Sequence, residues 1–162
     1  MPSAGGAPSF RRARRDDVPA IVRLLADDPL GRDREVASPE PPAAYWRAFD
    51  AVDRDGRNLL VVAELDGEVV GTLQLTFIPS LTRRGGERAQ VEGVRVDARY
   101  RDRGLGRSLL GWVIEQARAR GCRMVQLTTD KRRPGALRFS ESLGFRATHE
   151  GLKLPLDPPG ER

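Results

Sequence analysis

The sequence has little of what disulfides, metal sites and membrane spans require. Its 162 residues include one cysteine and one histidine, and no apolar run approaches the roughly 18 residues of a transmembrane helix. Cys122 alone cannot form an internal disulfide, and one His with one Cys is too few for the usual zinc ligand sets. Because no charged-then-apolar leader opens the chain either, we predict a cytoplasmic protein with no metal and no membrane partner.

Aromatic residues are also scarce beside the positive charge. Phe, Trp and Tyr make up 6% of the chain, while 28 Lys and Arg stand against 23 Asp and Glu, for a formal net charge of +5. The cations are mostly arginines spread along the chain, and no basic stripe with interleaved aromatics occurs, so we predict no nucleic-acid partner. Denser basic groups lie at residues 11–15, 83–84, 101–107 and 131–133, and the last two suit a small polyanion.

The length is that of one domain with a substantial core. Residues 1–8 and 157–162 are rich in Gly, Pro and small side chains, so we predict flexible tails there and a single domain over residues 9–156. Within it, Asp66-Gly67 separates two strand-like runs and is a strong hairpin signal. The periodicity predicts strands at residues 9–13, 59–65, 68–77, 90–97, 124–129 and from 145 onward, and helices beginning near residues 17, 43, 106 and 136. This order predicts a mixed α/β fold with a largely antiparallel sheet.

The segment Arg101-Asp102-Arg103-Gly104-Leu105-Gly106 joins the strand at residues 90–97 to the next helix. Glycines at such a turn let backbone N–H groups point inward, and the first helical turn adds unpaired donors and the positive end of the helix dipole. Arg107 adds further charge. The segment therefore indicates a phosphate site, although a tight turn packed against a helix would have the same glycines.

A second motif follows about thirty residues later, Ala136-Leu137-Arg138-Phe139-Ser140-Glu141-Ser142-Leu143-Gly144-Phe145. The pairing of R-x-x-G-x-G with a downstream A-x-x-F-x-E-x-L-G-F resembles the GNAT acetyltransferase superfamily, whose members move an acetyl group from acetyl-CoA to an amine. The resemblance spans roughly residues 10–156. It implies a GNAT fold, with a sheet of about six to seven strands that splays between strands 4 and 5 and about four flanking helices. It also implies acetyl-CoA as co-substrate and a homodimer.

By this resemblance, the strand at residues 90–97 offers main-chain groups to the pantetheine arm, and Gly93 suits a bulge in that strand. The turn amides would then hold the pyrophosphate. Arg103 and Arg107 are better placed for phosphate contact than Arg101, and each could instead be solvated surface charge. The cofactor-binding residues implied are Val94, Arg95, Val96, Arg101, Asp102, Arg103, Gly104, Leu105, Gly106, Arg107 and Arg133.

Glu92 is the first candidate for the general base. Amines are mostly protonated at neutral pH, so a proton acceptor must act before attack. Glu92 is a carboxylate in a strand rich in Val, where we expect desolvation to raise its pKa toward the working range. The alternative is a structural ion pair with Arg88 or Arg95.

Two positions depart from the family pattern. Many GNAT enzymes carry Tyr where this chain has Ser140, and that phenol is thought to protonate the departing thiolate. Helical spacing places Ser140 on the inward apolar stripe, where a bridging water could take the place of the phenol. Many relatives also have Asn where this chain has Arg133, which would bind cofactor phosphate or lie on the surface.

The resemblance is strongest to small-molecule amine acetyltransferases, so we expect direct attack of a small primary amine on the thioester. Arginines at 32, 34, 83 and 84 would suit an anionic acceptor and could equally face solvent. One alternative is a protein lysine or N-terminal acetyltransferase, which needs an open groove. Another, of a different class, is a catalytically weak CoA-binding sensor or interaction protein.

Overall fold

The computed structural model describes residues 5–157, and it divides into two compact units that meet in sequence between Gln126 and Leu127. The outer parts of the two predicted tails, residues 1–4 and 158–162, lie outside the described residues. The strands are β1 (Ser9–Arg12), β2 (Asn58–Leu65), β3 (Glu68–Ile78), β4 (Arg88–Val96) and β5 (Met124–Leu127). The helices are α1 (Val18–Ala26), α2 (Ala43–Arg54), the single turn α3 (Thr82–Gly85), α4 (Leu105–Arg120) and α5 (Pro134–Ser142). Among the described residues, no helix is both long and apolar enough to cross a bilayer.

The strands form one sheet in the order β1-β2-β3-β4-β5, and the first three neighbouring pairs are antiparallel. Asp66 and Gly67 turn β2 into β3 with φ of 51° and 81°, the left-handed values that a two-residue hairpin requires. At the other side of the sheet, the Arg123 N–H donates to the Glu87 carbonyl at 2.8 Å. The Gln126 side chain donates to Gln90 further along, so the two strands advance in the same direction and run parallel. The predicted mixed, largely antiparallel fold is confirmed.

Helices cover both faces of the sheet because apolar residues of successive strand positions point to opposite sides. Val62 of β2 packs in a cluster with residues of α1 and with Phe49 of α2. The next residue, Ala63, packs with Val70 and with Leu105 at the start of α4. Along α4 the buried side chains recur at helical spacing, namely Leu105, Leu109, Leu110, Val113 and Ala117. The core therefore fixes α4 on the sheet, and with it the turn from which α4 begins.

The prediction of about six to seven strands was wrong for the described residues, where the sheet has five. The strand expected from Phe145 onward does not form, and residues 143–157 contain no regular element. Leu152, Leu154 and Leu156 alternate as strand residues do, but they are 93%, 84% and 88% exposed and so pack no face. Pro155 between them lacks the N–H that a strand donates.

A partly buried ion pair at the start of α1 gives a pH-dependent contribution to stability. Asp17 accepts hydrogen bonds from the Arg11 guanidinium at 2.7 and 3.0 Å and from the Arg14 N–H at 2.7 Å. Burial alone would raise the pKa of Asp17, but these hydrogen bonds and the charge of Arg11 outweigh it and lower the pKa. The ionised carboxylate therefore stabilises the fold above its unfolded pKa of about 3.9, and this contribution is lost as pH falls through the lower folded value.

Replacing Asp17 by Asn should lower the free energy of unfolding by about 1.5–3 kcal/mol at pH 7, because a charged hydrogen bond is lost. Urea denaturation of both proteins at pH 7 and at pH 3 checks this. The gap between the two proteins should narrow at the lower pH. A gap of constant size would show that ionisation of Asp17 contributes nothing.

Candidate functional site

The strand β4 carries a bulge at the place expected from its glycine. Thr72 of β3 lies opposite Arg95 and Gln74 lies opposite Glu92, so two residues of β4, Gly93 and Val94, oppose one residue of β3. Gly93 has φ of 63°, which a residue with a side chain adopts only at a cost in strain. The parallel neighbour β5 ends at Leu127, one residue after the Gln126 that reaches Gln90, whereas β4 continues to Val96. The part of β4 after the bulge thus extends beyond β5.

Between β4 and α4 the chain makes a compact turn. Asp97 accepts a hydrogen bond from the Arg99 N–H at 2.9 Å and so caps the short 3-10 helix Ala98–Tyr100. The Arg99 side chain, hydrogen-bonded to the same carboxylate, holds the pKa of Asp97 below its usual value. Asp102 and Gly104 then take left-handed backbone angles, with φ of 60° and 81°. The predicted strand-to-helix turn is confirmed, and Gly104 is the residue that caps α4.

The turn presents hydrogen-bond donors that lack an acceptor. Within residues 5–157, no hydrogen bond uses the backbone N–H groups of residues 103–106. These donors open α4, where the helix dipole is positive, and the Arg103 and Arg107 side chains beside them are exposed. The Arg103 guanidinium lies 5.9 Å from the centre of the Tyr100 ring. A pyrophosphate needs several donors and positive charge, so this turn fits one.

Arg101 is hydrogen-bonded to two backbone carbonyls. Its Nε donates to the Val96 carbonyl at 3.2 Å, and its Nη2 donates to the Asp27 carbonyl at 3.1 Å. It therefore ties the turn to the end of α1. The preference for Arg103 and Arg107 as phosphate ligands, and the role of each of the three arginines, stay predictions.

The expected desolvation of Glu92 was wrong, because the side chain is exposed. Within the described part of the chain it makes no hydrogen bond or ion pair, so the structural ion pair with Arg88 or Arg95 does not form either. Glu92 is exposed because successive side chains of a strand point to opposite faces, and its neighbour Val91 is the one that is buried. The carboxylate is thus open to solvent and to ligand, and its role as base stays a prediction.

The second unit carries Arg133 and Ser140. Arg133 precedes α5 and is half-buried, and its carbonyl accepts from the Ala136 N–H at 3.1 Å. Ser140 is 6% exposed, which confirms its inward position on α5. Its hydroxyl donates to the Ala136 carbonyl of the same helix at 2.9 Å. The proton of the Ser140 hydroxyl is therefore already used in a hydrogen bond to the backbone.

Because the hydroxyl proton is held by the backbone, Ser140→Ala should lower kcat by no more than about tenfold. Loss of a true general acid lowers the rate by about 10²–10⁴-fold. Ser142→Ala is the matched control, since the exposed Ser142 hydroxyl likewise donates to a backbone carbonyl of α5, that of Phe139. Ser140→Tyr restores the family's phenol and should raise kcat if the larger ring fits without overpacking, which costs about 1–3 kcal/mol. Turnover and Tm are measured together. A stable but nearly inactive Ser140→Ala protein would assign the serine a catalytic role.

The structure does not support a catalytic role for the other described polar residues that could act as nucleophile, base or metal ligand. Burial raises the pKa of the Cys122 thiol, which disfavours a thiolate nucleophile, and His149 is exposed and bonded to Thr148. Among residues 5–157, no three His, Cys, Asp or Glu side chains are grouped as metal ligands would be. A surface cavity of about 440 Å³ lies beside Trp46, but its Arg15 already pairs with Asp50.

The arginines proposed for an anionic acceptor are all exposed. Arg83 and Arg84 have φ of 52° and 59°, and Gly85 follows with 75°, so three successive residues are left-handed. Backbone strain of this kind in residues with side chains is uncommon. Contact with an acceptor stays a prediction for each of them.

Sequence reasoning missed Asp28 and Gly31, which the structure joins to the bulge of β4. Both lie in residues 28–42, where the sequence shows neither helical nor strand periodicity and therefore predicts a loop. Asp28 lies 3.4 Å from the Arg95 guanidinium and is buried. The spacing Asp-x-x-Gly was a signal of a side-chain-capped turn, but not of its distant partner.

The chain is similar to several known proteins over most of its length. The model of the acetyltransferase (GNAT) family matches residues 18–145. The glucosamine 6-phosphate N-acetyltransferase of Trypanosoma brucei brucei is 38% identical over 148 residues, which cover 87% of this chain and 99% of that protein. The crystal structure of a transcriptional regulator from Bacillus halodurans C-125 superposes with a TM-score of 0.90 at 49% identity and covers 93% of this chain and 100% of that one. A predicted acetyltransferase with acetyl-CoA from Clostridium acetobutylicum shares the fold, with a TM-score of 0.72 at 19% identity over 93% of this chain and 97% of that one.

Proposed function

Because the chain belongs to the acetyltransferase (GNAT) family, we propose that it transfers the acetyl group of acetyl-CoA to the primary amine of a small, anionic molecule. The amine nitrogen attacks the thioester carbonyl directly, so the new C–N bond replaces the C–S bond with no covalent enzyme intermediate. The amine proton passes to Glu92, and the thiolate that leaves takes a proton from solvent.

The observation that carries this proposal is the arrangement of β4 with its bulge, the turn that follows it and the start of α4, all within the first compact unit. The unbonded N–H groups of residues 103–106 supply donors for the pyrophosphate, with Arg103 and Arg107 adding charge. The part of β4 beyond β5 leaves a strand edge along which the pantetheine amides can hydrogen-bond. Glu92 lies next to the bulge on that same strand.

Two observations support an anionic small-molecule acceptor. The Trypanosoma relative is a glucosamine 6-phosphate N-acetyltransferase, and it matches this chain over nearly its whole length. The arginines at 32, 34, 83 and 84 are exposed and could meet a phosphate. Fold alone does not determine a substrate, so the acceptor must be measured.

Free-thiol release with a panel of amines tests the proposal. The rate of thiol release is compared at the same acetyl-CoA concentration for three amines: glucosamine 6-phosphate, glucosamine and a lysine-containing peptide. We expect kcat/KM to be at least tenfold higher for glucosamine 6-phosphate than for glucosamine, which lacks the phosphate. Preference for the peptide would instead support the protein acetyltransferase.

A second candidate is a CoA-binding sensor with weak catalysis. It is favoured by Ser140 in place of the usual Tyr and by the 49% identity to the Bacillus protein described as a transcriptional regulator. Tight binding of acetyl-CoA by calorimetry, with no thiol release for any amine in the panel, would favour this candidate over the enzyme.

A further inference from the structure

A buried carboxylate follows the end of α1 and is held in one orientation. Asp28 is 6% exposed and accepts the Gly31 N–H at 2.9 Å. A Cβ at Gly31 would lie 2.0 Å from the Leu25 carbonyl oxygen, so only glycine allows this turn to close against α1. The local sequence thus fixes where the Asp28 carboxylate points.

The Asp28 carboxylate faces Arg95 of β4. Arg95 Nη2 lies 3.4 Å from Asp28 Oδ2, and the Arg95 side chain is only 15% exposed. The same guanidinium donates through Nη1 to the Val94 carbonyl at 2.8 Å. Val94 is one of the two bulge residues, and a Cβ at its neighbour Gly93 would lie 3.8 Å from Leu25 of α1. One chain of contacts therefore joins the turn after α1 to the bulge of β4.

From this chain of contacts we infer that Asp28 is a positioning residue for acetyl transfer. A guanidinium that is largely buried needs an opposite charge, and Asp28 supplies it, so Arg95 stays in place and fixes the Val94 peptide. The inference rests on the proposed function, in which the pantetheine lies along β4 and Glu92, next to the bulge, takes the amine proton. The adjacent Asp27 accepts from Arg101 of the turn, so the phosphate-binding turn keeps its own tether when Asp28 is changed.

Asp28→Asn tests the role because the amide can still accept from Gly31 while the charge is gone. Its matched control is Asp17→Asn. Asp17 is the other buried carboxylate that flanks α1 and pairs with an arginine, but its partners Arg11 and Arg14 lie outside the bulge of β4. Both variants should lower Tm. Only Asp28→Asn should lower kcat, by at least tenfold, with the Kd for acetyl-CoA from calorimetry within threefold of wild type. Hydrogen exchange in β4 around the bulge should also rise in that variant alone.

Arg95→Lys keeps the cation but loses the planar fork that reaches both Asp28 and Val94, so it should reproduce the fall in kcat and keeps the inference testable if Asp28→Asn does not fold. A folded Asp28→Asn or Arg95→Lys protein with wild-type kcat and unchanged exchange at the bulge would overturn the positioning role alone. Absence of turnover in the wild-type protein would remove the proposed function, and the positioning role with it.

Discussion

Replacing Glu92 by Gln should lower kcat by about 10²-fold or more at pH 7, because the amide cannot accept the amine proton. The loss should shrink at high pH, where the amine increasingly deprotonates without help. The Kd for acetyl-CoA should barely change, since the contacts we propose for the pyrophosphate lie in the turn and not at Glu92. Steady-state kinetics over a range of pH, with calorimetry on the same preparations, measures both quantities.

Glu115→Gln provides the control, because Glu115 is an exposed carboxylate in the middle of α4 that pairs only with Arg118 among the described residues. It should leave kcat within twofold of wild type. The open position of Glu92 makes the comparison clean, since its replacement breaks no hydrogen bond or ion pair among residues 5–157. A Glu92→Gln enzyme with wild-type turnover at every pH would exclude Glu92 as the base.

The second large effect is expected from Gly106→Val. Gly106 is the second residue of α4 and lies among the unbonded N–H groups, so a branched side chain there blocks the close approach of a phosphate. We expect the affinity for acetyl-CoA to fall well over tenfold, which is about 1.4 kcal/mol. Calorimetry on the folded variant measures it. Gly104 is less suitable, because its φ of 81° would add backbone strain to any substitution.

The matched control is Gly111→Val, in the same helix, where a Cβ would meet nothing within 4 Å. Valine is no poorer a helix former than glycine, so both variants should keep their fold. Gly111→Val should bind acetyl-CoA as the wild type does. Equal affinity in all three proteins would remove the cofactor assignment of the turn.

The parts of the fold that local chemistry determines could be predicted from the sequence. Asp66-Gly67 predicted the hairpin because few other pairs adopt two left-handed residues, and Gly104 with the following apolar spacing predicted the start of α4. The bulge at Gly93 was implied by the family resemblance, and glycine is a residue that permits it. The strand after Phe145 could not be judged from its alternation, because a strand forms only where a partner and a packed face exist.

The environment of individual site residues was less predictable, since it depends on contacts between distant segments. Glu92 was expected to be desolvated by its apolar neighbours in sequence, but alternation along β4 directs it to the exposed side. Asp28 pairs with Arg95 across 67 residues of sequence, and nothing local in either segment identifies the other. The turn and the start of α4 could therefore be predicted from the motif, whereas the contacts that support them required the fold.

Acetyl-CoA is compared with S-acetyl-pantetheine, which lacks the pyrophosphate and the 3′-phosphoadenosine attached to it. Measured in the wild-type protein and in Gly106→Val, this comparison tests most directly whether the turn after β4 binds the pyrophosphate. Calorimetry on the wild-type protein should show acetyl-CoA binding at least about 100-fold more tightly, or about 2.8 kcal/mol. Gly106→Val should remove most of that difference and leave the weaker ligand's Kd nearly unchanged. Equal affinity of the wild-type protein for the two ligands, or the same difference in Gly106→Val, would contradict the account.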